Sequence, residues 1–248
     1  MEFRVNGEVV SWDGDNDDLL LDVLRDDLDI KSPKVGCSPQ ANCGSCCVEV
    51  DGKPQLACAF RMKRAEGIDV KTIEGLDTTV QHALGAAFAG FGGTQCGFCT
   101  PGIAMRAACL LKENPDPSSE EIANSLKQHI CRCTGYTKII ESIQEAGRML
   151  RGEAVEMPSK EASTAPGAAA DGVGGRLQKL DAYDLTLGKR HYVADLEMDG
   201  MVHGVMILSD YARARVEAID WSRCKDVDGF IDFVDAADVP GTRNVGLI

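Results

Sequence analysis

The chain has 248 residues, which is long enough for one or two domains with a buried core. Its 44% hydrophobic and 26% charged residues are ordinary for a globular protein, whereas 11 cysteines and a net charge of −13 are not. The acidity argues against nonspecific binding to nucleic acid or to an anionic membrane, because both require clustered Lys and Arg.

The lengths of the apolar runs and the pattern of the N-terminal residues indicate the cellular compartment. No apolar run approaches the roughly 18 residues that a membrane span needs. Residues 1–12 lack the basic and then apolar pattern of a signal peptide. We therefore expect a cytoplasmic protein, and in that reducing compartment abundant cysteines indicate metal binding rather than disulfides.

The sequence of residues 1–75 predicts two hairpins around one helix. Asn6 and Gly7 form a hairpin turn signal between two short strands, and Asp51-Gly52 marks a second hairpin. Residues 17–28 carry leucine and valine at helical spacing. A small sheet that grips one helix is the simplest assembly.

From about residue 76 the pattern becomes helical. Ser118 and Glu121 form a capping box, and the connections between the helices are short, which indicates a bundle. The four predicted helices cover residues 77–89 with a stop at Gly90, Thr100 to about Glu113, a segment that opens at Ser118, and about 137–151.

Residues 153–175 are typical of a linker, since they are rich in Ala, Gly, Ser and Pro and have no apolar periodicity. Short strands are predicted beyond it, over residues 189–197, 201–209, 213–219 and 229–234. The expected organisation is a domain at 1–75, a domain at 76–152, a linker at 153–175 and a third region at 176–248.

Eight cysteines fall into two groups with metal-ligand spacing. The Cys37 group has the pattern C-x5-C-x2-C-x11-C and comprises Cys37, Cys43, Cys46 and Cys58. The Cys96 group has the pattern C-x2-C-x31-C-x-C and comprises Cys96, Cys99, Cys131 and Cys133.

Four thiolates fit either zinc or an iron–sulfur cluster. The Cys37 group approximates plant-type ferredoxin spacing and lies in a glycine-bearing loop, and neither group has a histidine at ligand spacing, which favours iron and sulfur. The spacing of the Cys96 group occurs in zinc modules too, so from spacing alone both metals stay open for it.

Longer motifs are more specific than the spacing. Those quoted are VGC (35–37), NCGSC (42–46), VEVDGKPQLAC (48–58), QCGFCTPG (95–102), ENPDP (113–117) and CRCTGY (131–136). Together they resemble the iron–sulfur subunit of the molybdenum hydroxylases, the xanthine dehydrogenase and aldehyde oxidase family, over residues 1 to about 152. The resemblance implies an α+β protein in which a β-grasp ferredoxin domain and then a four-helix-bundle domain each hold one [2Fe–2S] cluster, on the Cys37 and Cys96 groups.

The third region has its own resemblance. GKRHYVAD (188–195), MVHGVMILSD (201–210), ARARVEAIDWS (212–222) and DVPG (238–241) resemble the start of the family's molybdenum-binding subunit. This implies that 176–248 is the N-terminal part of an α/β hammerhead domain, which we expect another chain to complete. Some anaerobic bacteria fuse both parts, among them selenium-dependent xanthine dehydrogenase-like proteins, and the chain resembles the front piece of such a fusion.

The resemblance also implies a role. The chain would carry no catalytic residue and would pass electrons from molybdenum through the helical-domain cluster and then the ferredoxin-domain cluster to FAD on a separate subunit or to another acceptor. Gln95 and Cys133 match family residues that contact the molybdopterin, which would be shared with a large-subunit partner in a hetero-oligomer. The expected substrate is a purine or other N-heterocycle, with an aldehyde- or CO-oxidising complex as the alternative.

Two departures from the family pattern carry expectations. Five residues separate Cys37 from Cys43 where the family usually has four, so this loop is expected either to bulge or to shift its register. Cys47 stands where the family commonly has Thr, which makes it an alternative ligand. Neighbouring residues at the start of a strand point to opposite faces, so Cys46 and Cys47 are not expected to serve one site.

Two other classes of protein stay open. One is a free-standing ferredoxin-like carrier, which would be monomeric and folded alone. The other is a zinc-stabilised interaction module, which would be colourless and would contain no acid-labile sulfide.

Overall fold

The computed structural model describes residues 1–157 and 178–242. The chain divides into two compact units, Met1–Glu197 and Met198–Ile248. Across the two described ranges, no helix is long and apolar enough to cross a membrane. Most of the predicted linker, residues 158–175, lies outside the described residues.

A five-stranded mixed sheet organises the start of the first unit. Its strands are β1 (Glu2–Val5), β2 (Glu8–Ser11), β3 (Cys47–Val50), β4 (Lys53–Leu56) and β5 (Asp69–Lys71), in the order β2-β1-β5-β3-β4. Both predicted hairpins are confirmed: Asn6 and Gly7 have the positive φ angles, 53° and 91°, that the first turn requires. β5 was not predicted, and it joins the hairpins by pairing parallel to β1 and antiparallel to β3.

Helix α1 packs against this sheet. It covers Leu20–Asp22 and continues as a π-helical turn over Val23–Asp27. The predicted start at residue 17 is wrong, because the backbone there pairs with residues 60–62 instead. Leu20 N–H donates to the Phe60 carbonyl at 2.8 Å, and Met62 N–H donates to the Asp18 carbonyl at 2.9 Å. Helix and sheet share one apolar core that includes Phe3, Val5, Leu20, Leu24, Val48 and Met62.

Four helices form the second part of the first unit, as predicted. They are α2 (Thr78–Phe91), α3 (Thr100–Glu113), α4 (Ser119–Ser125) and α5 (Thr137–Leu150). Their common core includes Leu84, Phe88, Ile103, Ile122, Ile139 and Ile143. A sheet-and-helix part followed by a helical part gives the mixed α+β class that the sequence predicts.

The ends of these helices follow local chemistry. The capping box is present, because Ser118 Oγ accepts from Glu121 N–H at 3.2 Å and the Glu121 carboxylate accepts from Ser118 N–H at 2.8 Å. The predicted stop of α2 at Gly90 is wrong. Gly92, at φ 75°, is the residue that turns left-handed, and Gly93 N–H then donates to the Phe88 carbonyl.

The four strands predicted beyond residue 188 are wrong within the part of the chain that the structure describes. The first unit instead contains helix α6 (Ala182–Thr186) and a 3-10 turn at Val193–Asp195. The second unit has a 3-10 turn at Ser222–Asp226. A strand needs neighbours for its backbone groups, and Val205 and Ile207 are each 83% exposed, so nothing in the described second unit covers this segment.

Candidate metal centres

The Cys37 group is gathered by one loop and one hairpin. Cys37 and Cys43 lie on the loop between α1 and β3, Cys46 directly precedes β3, and Cys58 lies in a 3-10 turn after β4. The register of β3 and β4 pairs Cys47 with Leu56, and beyond this pair Ala57 N–H donates to the Cys46 carbonyl at 3.2 Å. The hairpin therefore brings Cys46 beside Cys58.

Left-handed residues shape the loop from Cys37 to Cys43. Ser38 and Ala41 have φ angles of 47° and 54°, which non-glycine residues seldom adopt. Gly36 is needed for space, because a Cβ there would lie 2.8 Å from the Cys43 Sγ.

The four cysteines of the Cys37 group line one small cavity, together with Lys34. The Cys37 and Cys43 side chains contact each other, as do those of Cys46 and Cys58. Backbone N–H groups, chiefly that of Asn42, lower the pKa of the Cys37 thiol to about 7. Burial raises the pKa of Cys46 to about 12, so this sulfur carries a negative charge only when a cation compensates it.

The Cys96 group is gathered from two loops of the helical part. Cys96 and Cys99 lie in the turn before α3, where Cys99 is the N-cap residue. Cys131 and Cys133 lie between α4 and α5. The Cys96 side chain contacts that of Cys133, and the Cys99 side chain contacts that of Cys131.

Two residues of the CRCTGY motif hold the second of these loops. The Tyr136 hydroxyl accepts from Cys131 N–H at 2.8 Å and donates to the His129 carbonyl at 2.9 Å. The Thr134 hydroxyl lies 3.1 Å from the Cys131 Sγ. Burial acts to raise the pKa of Cys131, but hydrogen bonds from Thr134, together with those from Cys133 and Cys99, outweigh it and lower that pKa. Burial raises the pKa of Cys99.

Both groups thus consist of two cysteine pairs. Within residues 1–157 and 178–242, no three His, Cys, Asp or Glu side chains converge closely enough to hold a single metal ion. Two pairs suit a [2Fe–2S] cluster, in which each of two irons takes two protein ligands. The paired cysteines of both groups therefore fit such clusters in number and kind of ligand.

A backbone hydrogen bond joins the two groups. Ile130 N–H donates to the Cys43 carbonyl at 2.9 Å, and Ile130 is the residue before Cys131. Gly44 makes this contact possible: at φ 71°, its Cβ position lies 2.5 Å from the Gln128 carbonyl oxygen. The two cysteine-bearing parts are therefore in direct contact through one main-chain hydrogen bond.

The remaining residues of interest divide into surface and core. The two loops of the Cys96 group expose three side chains, those of Gln95, Cys96 and Cys133. Cys47 points away from Cys46 and packs with Met105 and Cys109 in a separate cluster. Burial raises the pKa of both Cys47 and Cys109, so both behave as core residues.

Several residues support these centres through contacts that the sequence did not show. Thr134 and Tyr136 stand in a quoted motif, so their spacing was visible although their hydrogen bonds were not. Gly36 and Gly44 are the glycines of the glycine-bearing loop, but their close contacts were not visible. Asp195 ends the quoted motif at 188–195, but its ion pairs with Arg25 and Lys34 were not visible because these partners lie far away along the chain.

Comparison with known proteins finds two family matches and several relatives. Residues 72–144 match the family described as "[2Fe-2S] binding domain", and residues 187–248 match "Aldehyde oxidase and xanthine dehydrogenase, a/b hammerhead domain". The aldehyde oxidoreductase of Megalodesulfovibrio gigas is 34% identical over 98% of this chain, which spans only 27% of that protein.

Two further relatives agree with this result. The nicotinate dehydrogenase small FeS subunit of Eubacterium barkeri is 37% identical over 59% of this chain and 93% of that subunit. The crystal structure of the aldehyde oxidoreductase from Desulfovibrio desulfuricans superposes with a TM-score of 0.67 at 35% identity, covering 78% of this chain and 21% of that one. The chain therefore belongs to the molybdenum hydroxylase family of aldehyde oxidoreductase and xanthine dehydrogenase, and it is an iron–sulfur part of such an enzyme.

Proposed function

We propose that this chain is the electron-transfer component of a molybdopterin-dependent hydroxylase and holds two [2Fe–2S] clusters. The observation that carries the proposal is the arrangement of eight cysteines as four side-chain pairs in two sites. When bound, the clusters supply one-electron acceptor and donor sites. Residues 1–75 would serve the Cys37 group, residues 76–152 the Cys96 group, and residues 176–248 the contact with the partner.

The protein's own contribution is to hold sulfur anions in a partly dry environment. Asn42 N–H stabilises the Cys37 thiolate, and Thr134 does the same for Cys131. Hydrogen bonds to sulfur, like burial, set the reduction potential of iron–sulfur centres. Burial raises the pKa of Cys46 and of Cys99, so these two sulfurs bind as thiolates only with the metal that neutralises them.

The surface of the Cys96 group is the side proposed to meet the molybdopterin. Gln95 offers an amide donor and acceptor, and Cys133 offers a sulfur that is both ligand and contact. Both are exposed, which fits residues that await a partner chain. Electrons would enter at the Cys96 group, leave through the Cys37 group, and cross by the hydrogen bond from Ile130 N–H to the Cys43 carbonyl. FAD on a separate subunit, or another carrier, would accept them.

The partner chain would hold the molybdenum pocket and would decide the substrate. We propose a purine or another N-heterocycle, which agrees with the relatives named nicotinate dehydrogenase and caffeine dehydrogenase. An aldehyde is the second candidate substrate, because 98% of the length of this chain aligns with an aldehyde oxidoreductase.

Metal analysis and EPR of the purified chain test the proposal. We expect about four irons and four acid-labile sulfides per chain and two distinct [2Fe–2S] signals after reduction. Cys133→Ser should abolish one of the two signals and leave the other. A colourless protein that contains zinc and no sulfide would establish the interaction module instead, and a folded monomer that binds no partner would favour a free-standing carrier.

A further inference from the structure

Residues 182–195, which we name the strap, run across both cysteine-bearing parts of the first unit. The strap lies so close to its neighbours that glycine is required at the contacts. A Cβ on Gly97, in the Cys96 loop, would lie 2.5 Å from Leu185 Cδ2 of the strap. A Cβ on Gly188 of the strap would lie 2.5 Å from the Cβ of Ser32, which precedes the Cys37 loop.

Asp195 anchors one end of the strap beside the Cys37 group. Its carboxylate, only 2% exposed, accepts from an Arg25 guanidinium N–H at 2.5 Å and from Lys34 Nζ at 3.0 Å. Arg25 also donates to the Pro33 carbonyl at 2.7 Å. The network therefore holds the backbone segment that leads directly into Cys37.

Tyr192 anchors the strap to the Cys96 group. Its hydroxyl donates to the Cys96 carbonyl at 2.7 Å, and its ring meets the Phe98 ring edge-on at 5.6 Å. The Lys34 ammonium lies 5.0 Å from the centre of the same ring. One short segment therefore contacts the ligand loops of both groups.

The second feature of the strap is the set of buried charges around Asp195. Burial by itself would raise the pKa of Asp195, but the Tyr192 N–H, Arg25 and Lys34 outweigh it and lower that pKa to about 2, so the carboxylate is ionised at neutral pH. Lys34, whose side chain is 2% exposed, lines the cavity of the Cys37 group. A buried charge acts over a longer range than an exposed one, because water screens it less.

We propose that Asp195 and Tyr192 are positioning residues that fix the two cysteine groups relative to each other, and that the charges of Asp195 and Lys34 shift the reduction potential of the Cys37 centre in opposite directions. The proposal rests on the proposed function, since it requires a cluster in each group. Reduction adds a negative charge to a centre. Removing the Asp195 carboxylate leaves cations beside the Cys37 centre and favours its reduced form.

An EPR-monitored redox titration of the full chain tests this inference. Asp195→Asn should raise the midpoint potential of the Cys37 centre, so that its ratio of reduced to oxidised form at a fixed applied potential rises about tenfold, while the Cys96 centre shifts less. Tyr192→Phe should change the Cys96 centre more than the Cys37 centre. Asp184→Asn is the matched control, because Asp184 is an exposed acid on the same strap and its side chain has no ion pair among the described residues.

The double variant separates charge from packing. Lys34→Met should lower the potential of the Cys37 centre, and Asp195→Asn combined with Lys34→Met should return it toward the wild-type value, which a purely structural defect would not do. If Asp195→Asn does not fold, Lys34→Met alone still tests the sign of the shift. Clusters present with unchanged potentials in both single variants, Asp195→Asn and Lys34→Met, would overturn the inference and leave the proposed function intact. Absence of clusters from the wild-type chain would overturn both.

Discussion

The two cysteine groups present the same ligands by different means. The Cys37 group spans 22 residues, from 37 to 58, and strand register places its last two members side by side. The Cys96 group joins two loops that 31 residues separate, and helices α3, α4 and α5 bring them together. The first site therefore depends on one loop and one hairpin, whereas the second depends on packing across a whole helical core.

The two groups also differ in the solvent exposure of their cysteines. Cys46 and Cys58 are buried and the other two members of the Cys37 group are half-buried, while Cys96 and Cys133 are exposed. A site made from loops at helix ends leaves one side open. That open side is where the proposed function needs a partner, and the four predictions below separate the two groups from each other.

Loss of a ligand should have the largest effect, confined to one group. Cys58→Ser should remove the EPR signal of the Cys37 centre and about two of the four irons expected, because a [2Fe–2S] cluster needs four ligands. Cys99→Ser should do the same for the Cys96 centre. Iron content and EPR of both variants measure this, with Cys224→Ser, an exposed cysteine outside both groups, as the control. Loss of both signals from either variant would contradict independent centres.

Gly44→Ala should damage both groups at once. The new Cβ meets the Gln128 carbonyl at 2.5 Å, and the φ of 71° is strained for alanine. We expect a loss of about 3 kcal/mol in stability, from left-handed strain and overpacking together. Thermal unfolding and the occupancy of both centres report it. Gly52→Ala is the control, because Gly52 has φ 79° but nothing within 4 Å of its Cβ position; equal losses in the two variants would exclude the contact as the cause.

Gly36→Ala should affect the Cys37 group most. Here φ is not in the left-handed region, and a Cβ would lie 2.8 Å from the Cys43 Sγ and 3.3 Å from the Phe98 ring. We expect a loss of about 1–3 kcal/mol, as for overpacking of a tight site, with a weaker or broadened signal of the Cys37 centre. An unchanged Cys37 signal would show that the site is not as tight as described.

Ser118→Ala should have the smallest effect, on the helical part only. It removes the side chain that caps α4, which costs about 1 kcal/mol at an exposed position. The midpoint of thermal unfolding measures it, and Ser119→Ala on the same helix is the matched control. Both EPR signals should remain. A drop in either signal would mean that α4 supports the cysteine loops more directly than its position indicates.

Local signals in the sequence identified much of this structure. Asn6-Gly7 and Asp51-Gly52 predict the two hairpins, and Ser118 with Glu121 predicts the start of α4, because turns and caps are formed by residues close together in the chain. The spacing of the eight cysteines predicts two sites. The resemblance of residues 1 to about 152 adds the family.

Tertiary structure decided what depends on distant partners. Helix α1 begins at Leu20 rather than at residue 17, because residues 60–62 pair with the backbone before it. Strand β5 was not predicted, because it forms by pairing with one strand of each hairpin. The strands predicted beyond residue 188 did not form in the described residues, since a strand exists only when neighbours satisfy its backbone. The pairing of the cysteines and the anchoring of Asp195 against Arg25 and Lys34 depend on contacts across as many as 170 residues, and no local pattern encodes these.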